Sequence, residues 1–130
     1  MDENSCTIYV GNFFTLEWYF DEKGYSQPYE YFLSSEKEQR RKFFFLVKRI
    51  GDFGKISDKT KFRDEGDKIF EFKPQPDRYL CFFITGKKIV ITNAFTKKSK
   101  KLPKTEKLKS MKCREKYLAR KKDGKNGNDI

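Results

Sequence analysis

Residues 69–95 have the sequence IFEFKPQPDRYLCFFITGKKIVITNAF, and the order of strands and turns within this stretch decides the fold. Three of its runs are rich in the aromatic and β-branched residues that strands favour. They are Ile69–Lys73, Arg78–Thr85 and Lys88–Phe95. Pro74–Asp77 predicts a tight connection, because proline does not fit a central strand. Gly86–Lys87 predicts a two-residue type II′ hairpin. The stretch therefore predicts a three-stranded antiparallel meander.

Two more strands are predicted before this meander. Residues 14–20 alternate, with Phe14, Leu16, Trp18 and Phe20 on one side. This alternation indicates a strand with one buried face. A short strand at Thr7–Val10 falls within residues 1–13, which we interpret as an N-terminal extension.

Two helices are predicted between these strands and the meander. Ser26 or Gln27 can cap the first helix, with Pro28 in its first turn. The inward side chains of this helix are expected to be Tyr29, Phe32 and Leu33.

The second helix is expected to begin with a capping box formed by Ser35 and Glu38. Its apolar stripe recurs at helical spacing, and we expect the whole run from Phe43 to Val47 to be core. The stripe consists of Phe43, Leu46, Val47 and Ile50. Gly51 and Gly54 are expected to end the helix, and residues 55–68 to form a loop.

A basic third helix is predicted from about Thr105 to Lys121, with Gly124 stopping it. Four residues could dock this helix on the core: Leu108, Met111, Tyr117 and Leu118. Residues 122–130 are expected to be a flexible tail. The predicted class is α+β, one domain over residues 1–130. It has a small antiparallel sheet, two N-terminal helices on one face and the C-terminal helix at the sheet edge.

Composition excludes several classes of site. The 130 residues include no His, which removes histidine bases, catalytic triads and histidine metal ligands. The three cysteines, Cys6, Cys81 and Cys113, form no CxxC pair, so we expect no metal and no cofactor. Apolar runs are too short for a membrane span, and the acidic start is unlike a signal peptide. We therefore expect a soluble, cytoplasmic protein that does not bind a membrane.

The positive charge lies in the last third of the chain. Residues 1–86 carry 14 basic and 15 acidic side chains, whereas residues 87–130 carry 16 basic and 4 acidic ones. Lys and Arg concentrated in this way are typical of a surface that binds nucleic acid. The alternative is a solvated basic helix and tail that aid solubility.

Five segments together resemble the phage-derived HigB-like toxins of the RelE superfamily, which belong to type II toxin–antitoxin modules. The segments are Glu17–Tyr19, Phe32–Leu33, Ile69–Lys73, Arg78–Phe83 and Phe95–Pro103. The most specific is the last, which follows the pattern F-x-K-K-x-x-K-x-P. The family usually has Leu-His-Gly before that Phe, where this chain has Thr92-Asn93-Ala94.

The resemblance implies a RelE-like fold and ribosome-dependent endoribonuclease activity on mRNA. It also implies a cognate antitoxin, expected to be a helix-turn-helix protein with an acidic segment that lies near residues 97–103. Cleavage would proceed by attack of the RNA 2′-hydroxyl on the adjacent phosphate. Arg can stabilise the phosphorane charge, and a crowded Lys can move protons, so a cluster without His is chemically sufficient.

Four residues are the candidate catalytic groups: Arg78, Lys98, Lys97 and Lys73. Five more lysines are candidate contacts for RNA phosphates: Lys101, Lys100, Lys104, Lys109 and Lys112. Arg78 could instead form a salt bridge with Asp77 or Glu71, and Lys97 and Lys98 could be a solvated strand end. A non-catalytic RNA- or ribosome-binding protein, or a degenerate toxin homologue that binds only its antitoxin, is the alternative function.

Overall fold

A computed structural model describes the backbone of residues 6–128 and the side chains of residues 6–121. Within that range the chain has six strands and three helices. The strands are β1 (Thr7–Val10), β2 (Thr15–Trp18), β3 (Phe62–Asp64), β4 (Phe70–Phe72), β5 (Asp77–Ile84) and β6 (Lys88–Thr96). The helices are α1 (Gln27–Ser34), α2 (Lys37–Phe53) and α3 (Lys104–Asn128). The first five residues of the expected extension and the last two of the expected tail lie outside the described range.

The six strands form one mixed sheet in the order β1-β2-β6-β5-β4-β3. The prediction of a purely antiparallel sheet is wrong, because β2 pairs in parallel with β6, with Leu16 opposite Ile89 and Trp18 opposite Ile91. Two helices and three strands separate β2 from β6, and a long crossover of this kind permits parallel pairing. β1 pairs with β2 at the edge, so the expected extension contributes a strand to the sheet.

The predicted meander of β4, β5 and β6 is confirmed. Its second connection differs in detail, because Ile84 pairs with Lys88 and the turn therefore spans three residues. Gly86 and Lys87 both have positive φ, at 95° and 64°, whereas a type II′ turn has positive φ only at its first position. The loop predicted at 55–68 contains a short strand, β3, in which Phe62 pairs with Phe72 of β4.

The first core lies between one face of the sheet and helices α1 and α2. Phe43 of α2 stacks on Tyr79 of β5, with ring centroids 3.8 Å apart, and Trp18 of β2 contacts both rings. Offset aromatic contacts of this kind add to the free energy of burial. The two N-terminal helices therefore cover one face, as the sequence predicts.

Two details of α1 and α2 differ from expectation. Leu33 is half-exposed at the end of α1, and Phe45 is 61% exposed although it lies within the predicted core run. Phe43, Leu46 and Val47 are buried as predicted. Phe45 lies two positions after Phe43, so the helical turn directs it away from the sheet.

The predicted caps of the first two helices are confirmed only in part. Ser26 caps α1 by accepting a hydrogen bond from the backbone N–H of Tyr29 at 3.3 Å. The predicted capping box of α2 is wrong, because the Ser35 hydroxyl donates to the carbonyl of Tyr31 at the end of α1. Gly54 ends α2 with φ at 85°, as predicted.

Gly51 lies inside α2 and does not end it. A Cβ at the facing residue, Gly11, would lie 2.3 Å from the carbonyl carbon of Gly51. The backbone between β1 and β2 therefore lies directly against α2, and a side chain at Gly11 would force the two apart.

Helix α3 covers the opposite face of the sheet, so its predicted position at the sheet edge is wrong. Tyr117 is buried there and donates a 2.6 Å hydrogen bond to Glu17 of β2. Ser110 is also buried against β6, through its hydroxyl contact with Thr92. β2 consequently has two buried faces, where its alternation predicts one.

The predicted docking residues of α3 are right in part, because Tyr117 and Met111 pack on the core while Leu108 and Leu118 are exposed. The helix continues through Gly124 to Asn128, so the predicted stop is also wrong. A glycine inside a helix costs only about 1 kcal/mol relative to alanine, so it weakens a helix without having to end it. None of the helices in the described residues is long and apolar enough to cross a membrane.

Candidate functional site

A basic cleft of about 630 Å³ lies beside the ends of the meander strands. Ten of its lining residues are cations. They are Lys59, Arg63, Lys73, Arg78, Lys97, Lys98, Lys100, Lys101, Lys104 and Lys107. Only two lining residues in the described chain are acidic, Glu65 and Glu71. A concave surface with this balance attracts and concentrates polyanions.

Strand pairing brings the predicted catalytic residues to this cleft. Arg78 of β5 lies opposite Phe95 of β6, which begins the F-x-K-K-x-x-K-x-P segment. Beyond the strand pair, the backbone N–H of Lys97 donates to the carbonyl of Pro76 at 2.9 Å. This bond fixes the start of the lysine segment beside the Pro74–Asp77 connection, so Lys97 and Lys98 border the same cleft as Arg78.

Arg78 is held in place by its neighbours at the wall of the cleft. Its Nη1 donates to the carbonyl of Asp77 at 2.9 Å, and its Nη2 donates to Oε1 of Gln75 at 3.0 Å. Its Nε lies 3.6 Å from Oε2 of Glu71. The ion pair with Glu71 that the sequence left open is therefore present, and the side chain is 6% exposed. These contacts fix the guanidinium plane before any ligand binds.

Glu71 is a lining residue that sequence reasoning missed as part of the site. It lies on β4 between Phe70 and Phe72 and is buried. Burial and the neighbouring Glu65 carboxylate raise the pKa of Glu71 well above its ordinary range, although Lys73 and Arg78 act in the opposite direction. A charged residue in the middle of an apolar strand was the available signal, because such residues are buried only with partners.

Lys73 is hydrogen-bonded to the opposite wall of the cleft, which is formed by residues within 59–65. Its Nζ donates to the carbonyl of Lys59 at 3.2 Å, and its backbone N–H donates to the carbonyl of Lys61 at 2.8 Å. Lys59 and Arg63 line this wall, and the sequence did not identify them. The prediction of a loop at 55–68 gave no reason to include them, because the pairing of β3 with β4 and the hydrogen bonds of Lys73 bring them to the cleft.

The predicted phosphate contacts divide into two groups. Lys100, Lys101 and Lys104 line the cleft. Lys109 and Lys112 lie further along α3 and are exposed outside it. Lys107, which was not predicted as a contact, lines the cleft and forms a 2.8 Å ion pair with Asp67.

The described residues contain no group of three or more His, Cys, Asp and Glu side chains that could bind a metal. Burial raises the pKa of the Cys81 thiol, and burial raises that of Cys113 to about 11. Thiols of this kind are poor nucleophiles. The cations that line the cleft are side chains of the kind that bind anionic oxygens such as those of carboxylates and phosphates.

Comparison with known proteins gives one family. No curated protein matches the chain. The family model described as "Phage derived protein Gp49-like (DUF891)" matches residues 30–114. That segment is more than half of the chain and includes every cleft residue from Lys59 to Lys107. The chain therefore belongs to the phage-derived Gp49-like family.

Proposed function

We propose that this protein is the toxin of a toxin–antitoxin module and acts as a ribosome-dependent endoribonuclease on mRNA. The observation that carries the proposal is the shared cleft of Arg78, Lys73, Lys97 and Lys98. Membership in a phage-derived Gp49-like family is compatible with such a role. The F-x-K-K-x-x-K-x-P segment, on which the resemblance to HigB-like toxins rests, borders the cleft.

The nucleophile and the leaving group of the reaction both belong to the RNA. The 2′-oxygen of one nucleotide attacks the adjacent phosphorus, and the bond from phosphorus to the 5′-oxygen breaks. The products are a 2′,3′-cyclic phosphate and a free 5′-hydroxyl. Arg78 stabilises the negative charge that develops on the phosphate oxygens, a task for which a fixed guanidinium is well suited.

Two protons move in this reaction, and lysines are the proposed carriers. Lys98 protonates the leaving 5′-oxygen, while Lys73 or Lys97 accepts the proton of the attacking 2′-hydroxyl. The surrounding cations hold the RNA backbone, with Lys100, Lys101 and Lys104 on phosphates. Alignment of the 2′-oxygen with the scissile bond is left to the ribosome, which presents mRNA in a defined conformation.

A second function is favoured by a specific observation. All three nitrogens of the Arg78 guanidinium face protein acceptors, which is typical of a structural arginine. In a protein that binds RNA or ribosomes through the cleft without cleaving, Arg78 would hold the wall of the cleft in shape through these contacts. Tightly controlled expression, with growth followed and mRNA ends mapped, separates the two. New ends inside translated regions support the nuclease, and growth without new ends supports the binder.

A further inference from the structure

A second concavity of about 830 Å³ lies between the outer face of α2 and residues 55–61. Phe45 and Phe53 line it from α2 and are 61% and 70% exposed. Leu46 and Ile56 complete its apolar floor. Exposed aromatic side chains grouped in a groove mark an interaction surface, because leaving them in water has a free-energy cost. We call this surface the α2 groove.

The rim of the α2 groove is basic. Five cations line it, against the single acidic side chain of Asp58 among the lining residues described. The cations are Arg41, Lys42, Arg49, Lys55 and Lys61. No ion pair in the described part of the chain involves Arg49, Lys55 or Lys61. An occupant that matches the groove therefore combines an apolar face with acidic residues around it.

The spacing on α2 specifies the shape of this occupant. Arg41, Phe45, Arg49 and Phe53 recur every four residues, so cations and aromatic rings alternate along one stripe of the helix. A partner helix laid along this stripe would pack its apolar face on the rings, while the long arginine side chains that alternate with the rings reach acidic residues that border that face. Aromatic and arginine side chains are also the residues that dominate binding energy at protein interfaces.

We propose that the α2 groove binds an amphipathic acidic helix of the antitoxin. The proposal rests on the proposed toxin function and gives that partner a docking surface outside the cleft. Gln75 borders both concavities, and the segment 58–61 supplies Lys59 and Thr60 to the cleft and Asp58 and Lys61 to the groove. A helix in the groove consequently lies against the outer wall of the cleft, where it obstructs the approach of a ribosome.

The test uses a synthetic peptide as the probe for the helix. The peptide has roughly 18 residues, with leucines along one helical face and glutamates elsewhere. A scrambled peptide of the same composition has the same charge but no apolar face. Fluorescence anisotropy with the full chain measures the affinity for both peptides, and we expect the amphipathic one to bind at least roughly tenfold more tightly.

The variant for this test is Phe45→Ser with Phe53→Ser, which removes both exposed rings. The matched control is Leu33→Ser with Leu108→Ser, which removes two exposed apolar side chains that do not line either concavity. The preference for the amphipathic peptide should vanish in the first variant and persist in the second. Equal affinity of the parent for the two peptides would overturn the proposal, as would a persistent preference without the two rings.

Two further measurements separate this proposal from its rivals. If loss of the rings weakens binding of a single-stranded oligouridine and leaves peptide binding unchanged, the groove is an RNA-stacking surface and the proposal is wrong. Cleavage of mRNA on ribosomes by the ring variant should equal that of the parent, because neither ring lines the cleft. If the parent binds the peptide but never cleaves mRNA, the proposed nuclease activity is wrong, whereas the proposed peptide binding by the α2 groove stands.

Discussion

Glu71 and Arg78 face each other from neighbouring strands at the wall of the basic cleft, with Oε2 of Glu71 3.6 Å from Nε of Arg78 and both side chains nearly inaccessible to water. A buried carboxylate orients the guanidinium, and the guanidinium offsets part of the cost of burying the charge. Burial and the Glu65 carboxylate oppose this by raising the pKa of Glu71. The orientation of the candidate catalytic arginine, and the net charge of the pair, therefore depend on a carboxyl group that can also be neutral.

The first prediction concerns Arg78. Arg78→Ala should reduce cleavage by roughly 10²–10³, because one preorganised donor to the developing charge is lost. Arg78→Lys should recover only part of that loss, since an ammonium keeps the charge without the planar fork. Binding of ribosomes should fall far less, because nine other cations line the cleft. Single-turnover cleavage and ribosome co-sedimentation measure the two effects.

Lys37→Ala is the charge-matched control for this experiment, because Lys37 is exposed on α2 and lines neither concavity. Its cleavage rate should equal that of the parent. Cooperative urea unfolding of Arg78→Ala shows whether the fold is kept. A folded Arg78→Ala variant that cleaves at the parental rate would remove Arg78 from the mechanism.

The second prediction concerns pH and the raised pKa of Glu71. A group with a higher pKa in the folded chain contributes stability that is fully present below its unfolded pKa, about 4.3 for glutamate. That contribution is lost as the pH rises through the folded value. Glu71→Gln mimics the protonated form, so its free energy of unfolding should decline less over this range. Urea unfolding at a series of pH values measures the difference.

Glu115→Gln provides the control for that series, since Glu115 is an exposed residue of α3. Its pH profile should follow the parent. If Glu71→Gln also follows the parent through neutral pH, the carboxyl of Glu71 titrates normally and the two carboxyl groups are not coupled.

The third prediction compares two pairs of lysines that carry equal charge. Lys100→Ala with Lys101→Ala removes cations that line the cleft, whereas Lys109→Ala with Lys112→Ala removes cations further along α3. The cleft pair should lower RNA affinity more strongly and reduce the slope of log affinity against log salt by more. Equal effects would mean that the RNA footprint extends along α3.

The fourth prediction concerns the attachment of α3 to the sheet. Tyr117 donates to Glu17, whose other carboxylate oxygen lies 3.2 Å from Nζ of Lys88. Burial and the Glu17 carboxylate raise the pKa of Tyr117, so the phenol remains a donor at neutral pH. Tyr117→Phe should lower the free energy of unfolding by about 1–3 kcal/mol, because a buried acceptor loses a partner.

Tyr25→Phe is the matched control for Tyr117→Phe, since Tyr25 is half-exposed and should lose no more than a few tenths of a kcal/mol, about the effect of a surface substitution. Similar losses in the two variants would contradict the tight attachment of α3 over β2.

Local pattern was enough to predict the meander, the stripe of α2 and the lysine segment that borders the cleft. Those features depend on short-range periodicity and turn residues, which a single sequence displays directly. Prediction failed where a distant segment decides the environment. The alternation of residues 14–20 indicates one buried face, but α3, about one hundred positions later, covers the second through Tyr117.

The candidate site divides in the same way. That Arg78, Lys73, Lys97 and Lys98 border one cleft could be predicted from the strand ends, the lysine segment and the resemblance to HigB-like toxins. Lys59 and Arg63 could not be predicted as part of the cleft. They lie in or next to β3, whose sequence has no strand pattern of its own and which is recognised only from the pairing of Phe62 with Phe72. Glu71 was visible in the sequence, but its effect on Arg78 depends on the register between β4 and β5.

The most direct test of the proposed function is the chemistry of the RNA ends. Purified chain, freed from any antitoxin, is mixed with ribosomes programmed with a defined mRNA, and the product ends are identified. Attack by the 2′-hydroxyl predicts a 2′,3′-cyclic phosphate on the upstream fragment and a 5′-hydroxyl on the downstream one, with both formed roughly 10²–10³ times more slowly when Arg78→Ala replaces the parent. Fragments that end in a 3′-hydroxyl and a 5′-phosphate, or intact mRNA with the parental chain, would contradict it.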